Sequence, residues 1–357
     1  MLRVEPNTQT WTRVSRVFNS PMPVLAAALF CVCFFGPLVS NCDALKYNNN
    51  STYIPKHICT YSDRVYTSIL NNTSMQNVDS IIPQITVTSL NCNLLNMSST
   101  GSLNHKMKMY GITRLRSDII FLSDIRLSNS ENVSTSLQAS LSFRTNPYGS
   151  YISYFNSSMN RRGVGILLKN ACSFLVLSEA RDPGENCLFL RIKTTGTDIE
   201  FVVGSVYGPN RYEPAFFAWI RNYLSTLGNT PVVIGGDWNC TYCKSAANIN
   251  PDVINMNNIP NRRHTDLLLQ LCEDFNLCDP FRTLNPNRTE YTFVPPDTSK
   301  KNRSRIDFFI VSRSILNSVA ECSISKGLQN KLFDHKAILL NCKKKLLSLH
   351  RQQFQKE

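Results

Sequence analysis

Acidic residues are in short supply in this chain: 25 Asp and Glu stand against 38 Lys and Arg across 357 residues, for a net charge of +13. Such a balance favours a polyanionic partner, either nucleic acid or an anionic membrane surface. A disulfide framework is also missing, because the thirteen cysteines are odd in number and lie scattered through apolar runs, as at Cys187 and Cys322. That distribution argues against a stapled scaffold and points to buried free thiols in a reducing compartment, nuclear or cytoplasmic. No second CxxC accompanies Cys240 and Cys243, which excludes a four-cysteine zinc site and leaves the pair a structural role. Internal repeats are absent, so a solenoid is excluded.

One long apolar run is present. Residues 22–39 follow Arg3, Arg13 and Arg16, and they combine the near-minimal length of a membrane helix with the basic front of a secretory signal. Membrane association or secretion is therefore one reading of the N-terminus. Against it, export would turn Asn239-Cys240-Thr241 into a glycosylation acceptor, beside the sequons at Asn72, Asn132 and Asn287. Residues 42–80 are rich in Asn, Ser, Thr and Tyr without a sustained period, the pattern of a linker. The expected organisation is an N-terminal extension over 1–80, one folded domain over 81–343 and a basic tail over 344–357.

Within the domain, period-two or continuous apolar patterns predict strands over 85–90, 118–123, 164–169, 187–192, 199–207, 232–234, 305–311 and 337–340. Helical spacing marks 102–115, 213–227 and 265–275, and a Ser- and Asn-rich loop region spans 127–154. Many strands with few intervening helices predict an α/β (α+β) fold, a four-layer α/β sandwich of two packed, mostly antiparallel sheets flanked by helices. The chain is organised around 231–241, PVVIGGDWNCT, where a buried strand runs through two glycines into Asp237 and Asn239. Strand alternation places those two side chains on one side, a carboxylate beside an amide, suited to a hydrolytic water and a phosphate oxygen. Asn91, Asp124, Tyr207, Asp307, Asp334 and His335 also sit where a strand gives way to a loop. Turn or capping chemistry explains any one of them; eight together point to a common rim.

The ordered segments SLNCN (89–93), IIFLSDIRL (119–127), VYGPN (206–210), GGDWNC (235–240), YTF (291–293), SRIDFFIVS (304–312) and DHKA (334–337) resemble the motifs of the endonuclease/exonuclease/phosphatase superfamily. The likeness covers residues 81–342 and is greatest to the apurinic-like endonuclease domain of non-LTR (LINE-type) retrotransposons. It implies a metal-dependent DNA endonuclease that nicks target DNA and leaves a 3′-hydroxyl primer for reverse transcription. No reverse transcriptase segment follows, so the chain resembles a detached or truncated element product, with an element-encoded reverse transcriptase as an implied partner besides DNA. By the same resemblance Asp124, Asn91 and Asp334 hold Mg²⁺ (or Mn²⁺), Asp237 and Asn239 handle the attacking water or phosphate, and Tyr207 donates to phosphate. His335 donates as an imidazolium that Asp307 orients. Asn93, Thr292, Ser304 and the basic pair Arg161 and Arg162 fall on the substrate side, with further basic clusters at Arg262-Arg263 and 300–305.

Three positions depart from the family pattern. Asp124 stands where Glu is usual, one methylene shorter against a Mg²⁺ ligand distance of about 2.0–2.1 Å. Phe333 replaces a Ser, with the expected loss of a hydrogen bond at the rim, and Leu94 replaces a Gly. Two alternatives follow: an inactive relic that still binds DNA, and a membrane-anchored or secreted phosphodiesterase of sphingomyelinase type, since related metal centres serve many substrates.

Overall fold

In the computed structural model the residues described are 84–95, 103–127, 151–158, 161–172, 174–195, 199–246, 249–254, 260–295, 302–325 and 332–343. They belong to the unit that spans Asn77–Glu357. The extension 1–80 with its apolar run 22–39, and the tail 344–357, lie outside them. Among the described residues no helix is long and apolar enough to cross a membrane.

The chain forms β1 (Gln84–Asn91), α1 (Leu103–Thr113), β2 (Ile119–Ser123), β3 (Tyr151–Asn156), β4 (Val164–Lys169), β5 (Phe174–Arg181), β6 (Cys187–Thr194) and β7 (Glu200–Tyr207). It continues with α2 (Pro214–Ser225), β8 (Val232–Asp237), β9 (Val253–Ile254), α3 (Arg262–Asp274), β10 (Leu277–Cys278), α4 (Pro280–Leu284), β11 (Arg303–Ser304), β12 (Asp307–Ser312), β13 (Val319–Ile324) and β14 (Ile338–Lys343). Two six-stranded sheets result, ordered β13-β14-β1-β2-β4-β3 and β10-β12-β8-β7-β6-β5. Each is antiparallel except for one central parallel pair, β1/β2 in the first and β7/β8 in the second. In both, the parallel pair is joined through a helix, α1 or α2, the crossover that parallel strands require.

Period-two alternation divides the side chains among the layers. Phe121, Val203, Val233, Phe309 and Val311 point between the sheets with Val87, Ile166 and Leu190. Their neighbours Ile120 and Leu122 face outward with α1 residues Met109 and Ile112. Val202, Val232, Ile234, Phe308 and Ile310 pack against α2 (Phe216, Phe217, Ile220, Leu224) and α3 (Leu268, Leu271, Cys272). Helices outside two face-to-face sheets make the expected four layers. At about 25 cal/mol per Å² of apolar surface, this burial on three interfaces is the main stabilising term.

The glycines of β8 are fixed by proximity. Gly236 has φ +156°, and a Cβ there would lie 1.9 Å from the Val206 carbonyl oxygen of the parallel neighbour β7. A side chain at this position therefore cannot coexist with the central parallel pairing.

One loop expectation is corrected. Residues 151–154 belong to the edge strand β3, in which Tyr151 and Ser153 are buried, Tyr154 packs against the core and Ile152 is exposed, so polar and apolar residues do not separate by face and the alternation is hidden in the sequence. The edge strands β5 and β13 were not marked by the sequence patterns, since their mixed burial blurs the alternation. The nine described cysteines are free, and seven of them are buried, Cys187, Cys240 and Cys322 included.

Candidate active site

Both parallel pairs end at the same mouth. In register, Asn91 pairs with Ser123 at the carboxyl end of the first, and Tyr207 with Asp237 at the end of the second. The Ser205 hydroxyl donates to the Leu122 carbonyl at 3.0 Å and ties the two sheets just beneath. Asp307, the first residue of β12, lies opposite Asp237. A cleft of about 350 Å³ opens above, lined by Asn91, Asn93, Asp124, Tyr207, Asp237, Asn239, Ser304, Asp334 and His335 among others.

Asp237 is held on both oxygens: Oδ2 accepts from Asn91 Nδ2 at 2.9 Å and Oδ1 from the Asn239 backbone N–H at 2.8 Å. Burial, reinforced by the charge of Asp307, raises its pKa above the usual carboxylate range even though His335, Asn239 and Asn91 oppose the shift. His335 Nδ1 meets Asp307 Oδ2 at 2.7 Å, and its Nε2 stands 3.9 Å from Asp237 Oδ2. Burial alone would lower the histidine's pKa, but the charge of Asp307 and the hydrogen bond to it, with Asp237 and Asp334, outweigh burial and raise it to about 10. At neutral pH the ring is therefore an imidazolium with Nε2–H available at the cleft. Burial pushes the Tyr207 phenol upward, helped by Asp124 and Asp237, so it stays a donor.

Asn239 differs from expectation. β8 ends at Asp237 and Asn239 adopts φ 49°, so strand alternation does not carry its side chain beside the carboxylate. Its backbone N–H serves Asp237, while its amide Nδ2 donates to the Gly208 carbonyl at 2.7 Å and anchors the 206–210 turn. Asn261, also left-handed at the start of α3, donates to the Asn239 carbonyl at 2.8 Å and fixes the same corner.

Thr292 is not a lining residue. It is fully buried, and its hydroxyl accepts from the backbone N–H groups of Ile306 and Asp307 at 3.2 and 3.1 Å, bracing the strand start that carries Asp307. Arg161 and Arg162 also lie off the lining; Arg162 donates to Asn186 and Glu213, each at 3.1 Å. Phe333 belongs to the apolar cluster outside the first sheet, beneath the Lys108 ammonium at 5.7 Å, so no rim hydrogen bond is at issue there. Leu94 holds φ 69°, a conformation suited to glycine, and Lys108 Nζ pins that turn through the carbonyls of Cys92, Asn93 and Leu94 at 2.9, 2.6 and 2.8 Å.

Arg305, expected as part of a DNA-facing run, is 1% exposed and pairs instead with Asp252 and Asp279, at 2.7 and 2.6 Å. From the same run Asn302 and Arg303 do line the cleft. The sequence patterns passed over Arg126, Asn210, Pro260 and Phe293, which line it too. For Arg126 the signal is its place two residues after Asp124, on the same motif.

Asp124, Asn91 and Asp334 offer only oxygen ligands, the donor class that Mg²⁺ and Mn²⁺ take. Asp334 Oδ1 is buried without a hydrogen-bond partner, a costly state for a carboxylate oxygen that a hard cation relieves. These residues fit a divalent ion. Asp237, Asp307 and His335 also converge closely enough to share a cation. The imidazolium form of His335 makes that trio better suited to moving protons, because a protonated ring has no lone pair for a metal.

A profile of the endonuclease/exonuclease/phosphatase family matches residues 89–327. The Xenopus laevis transposon TX1 uncharacterized 149 kDa protein is 26% identical over 167 residues, which are 45% of this chain and 12% of that relative. The match therefore spans a small part of the relative's length. Among solved structures, the AP endonuclease LMAP from Leishmania major superposes with a TM-score of 0.59 at 13% identity, covering 76% of this chain and 92% of that one. An AP endonuclease from Archaeoglobus fulgidus gives 0.51 at 17% identity, over 72% and 98% of the two chains. The 3′ phosphatase NExo from Neisseria, bound to product DNA hairpin, gives 0.52 at 16% identity over the same shares. With the profile spanning most of the folded domain and these folds alike, the chain belongs to the endonuclease/exonuclease/phosphatase family, a family of phosphodiester hydrolases.

Proposed function

We propose that the protein is a divalent-metal-dependent DNA endonuclease of retrotransposon type, acting in the nucleus or cytoplasm and leaving a 3′-hydroxyl end. The observation that carries this reading is the pairing of a buried carboxylate with a buried imidazolium. Asp237 and His335 face one cleft 3.9 Å apart, each oriented by its own partners. Asp124, Asn91 and Asp334 would hold a divalent ion, which when bound would neutralise phosphate charge. Asp237 accepts the proton of the attacking water, with Asn91 and the Asn239 N–H keeping its lone pairs aimed. Nε2–H of His335 and the Tyr207 hydroxyl donate to phosphate oxygens as charge builds on them. The bond to the 3′ oxygen breaks, the water oxygen joins phosphorus, and the departing oxygen takes a proton from solvent in the open cleft to become a 3′ hydroxyl, while Asp237 returns its proton to solvent.

DNA as substrate is supported by the net charge of +13, by the exposed Arg262, Arg263 and Arg303, and by the transposon relative. A reverse transcriptase from the same element would use the resulting primer. The test is incubation of the full chain with supercoiled plasmid in Mg²⁺ or EDTA, followed by polymerase extension of the nicks. Mg²⁺-dependent nicks that a polymerase extends without prior end repair are expected; nicks that resist extension would overturn the polarity assigned here. The ion pair of Arg126 on Asp124 favours a second reading, a DNA-binding module without turnover. Salt-sensitive retention of plasmid with no nick at any Mg²⁺ concentration would select it.

A further inference from the structure

Asp124 does not present a bare carboxylate to the cleft. Arg126 Nε donates to its Oδ1 at 2.7 Å and Nη2 to its Oδ2 at 2.8 Å, a two-pronged fork that engages both oxygens. The fork is built into the backbone. Asp124 and Arg126 both take left-handed conformations, φ 52° and 48°, on either side of fully buried Ile125. Such conformations cost about 1–2 kcal/mol per residue and persist where surrounding structure imposes them. Here the Ile125 and Arg126 N–H groups donate to the carbonyls of Gly163 and Arg162, at 3.2 and 2.7 Å. Arg126 also lies within hydrogen-bonding reach of the Tyr207 hydroxyl, and it lines the cleft.

We infer that Arg126 is a built-in counter-cation on the metal ligand Asp124, and that its competition with the divalent ion sets how tightly this cleft takes metal. The inference rests on the metal-assisted reading of the cleft. A carboxylate whose oxygens both accept from one guanidinium has fewer lone pairs left for an ion, and a divalent charge placed there meets a fixed positive one. Asp124 has no spare methylene with which to reach past the fork. By reciprocity, whatever the pair gains from the guanidinium the ion loses, and coupled sites of this kind shift affinity by roughly 5- to 150-fold. Lys108 does not play the same part, since its ammonium is committed to three backbone carbonyls.

The test uses the full chain without nucleic acid and reads Mn²⁺ binding by electron paramagnetic resonance and calorimetry. In Arg126→Gln the Mn²⁺ dissociation constant is expected to fall about tenfold, within the range for coupled sites. In Arg126→Lys, which keeps the charge and loses the fork, it falls less. An unchanged or weaker affinity in Arg126→Gln, with the thermal unfolding of wild type, overturns the inference. If Arg126→Gln fails to fold, Arg126→Lys decides: tighter Mn²⁺ binding supports competition and equal binding refutes it. Asp334→Asn separates this from the underlying reading. Weakened Mn²⁺ binding in that variant shows that the metal sits in the cleft whatever Arg126 does, whereas identical binding in wild type and Asp334→Asn would refute the cleft as the metal site.

Discussion

Two buried groups of charges lie near strand ends, and they are built on opposite plans. In one, Arg305 and Arg282 meet Asp252, and Arg305 also meets Asp279, so two guanidinium groups balance two carboxylates. In the other, Asp124, Asp237, Asp307 and Asp334 meet two described cationic side chains directly, Arg126 and His335, and feel the charge of a third, Lys108, whose ammonium is bonded to backbone carbonyls. The first group closes on itself and holds β12 and α4 in place. The second is left short of positive charge, which a divalent ion and the electropositive donors of a phosphate site are suited to meet. Charge balance, more than residue type, distinguishes the two groups.

Removing Arg305 should break the balanced group hardest. Arg305→Ala leaves Asp252 and Asp279 buried without their shared partner, and loss of one member of a buried pair costs about 3–5 kcal/mol. Chemical denaturation should show that fall, and a change within about 0.5 kcal/mol would mean that the group is not structural.

That arginine also shows what a sequence conceals. The run 300–305 reads as a basic surface, yet one of its members turns inward while Arg303 remains at the cleft. Continuous apolar strands such as β2, β8 and β12 were legible because burial on both faces leaves only apolar choices, and the polar residues that end them marked the rim. Asn239 and Arg126 were not, because both lie in left-handed turns where strand alternation no longer says which way a side chain points. Thr292 read as a substrate residue since motif position does not distinguish a brace from a contact.

The unbalanced group should betray itself through pH. The folded-state pKa of His335, about 10, lies above its unfolded value near 6.5, so its contribution is fully present below the unfolded value. It is lost as pH rises from about 6.5 to 10, a fall on the order of a few kcal/mol in the metal-free protein. Denaturation across that window should show the decline in wild type and a flatter profile in His335→Gln; parallel profiles would mean that the ring is not charged in the fold.

A smaller effect of opposite sign sharpens the contrast. Asp334→Asn replaces a carboxylate with an orphaned oxygen, so metal-free stability should stay level or rise by up to about 1 kcal/mol. The stabilisation that Mg²⁺ gives to wild type should shrink in that variant. A loss of stability like that of Arg305→Ala would place Asp334 with the structural ion pairs. The smallest change concerns the scaffold beneath: Leu94→Gly should raise stability by about 1 kcal/mol by relieving the φ 69° strain, read as a higher melting temperature. A lower melting temperature would show that the Leu94 side chain matters more than its backbone.

The central claim is that Asp237 and His335 carry metal-assisted phosphodiester cleavage in a cleft that an ion completes. Single-turnover cleavage of a labelled DNA duplex by the full chain, titrated with Mg²⁺, tests it most directly beside Asp237→Asn. Wild type is expected to cleave in proportion to metal occupancy, and Asp237→Asn to lose on the order of 10²–10⁴ in rate, the usual contribution of a positioned base, while binding DNA as before. Equal rates in the two proteins, or cleavage undiminished in EDTA, would contradict the account.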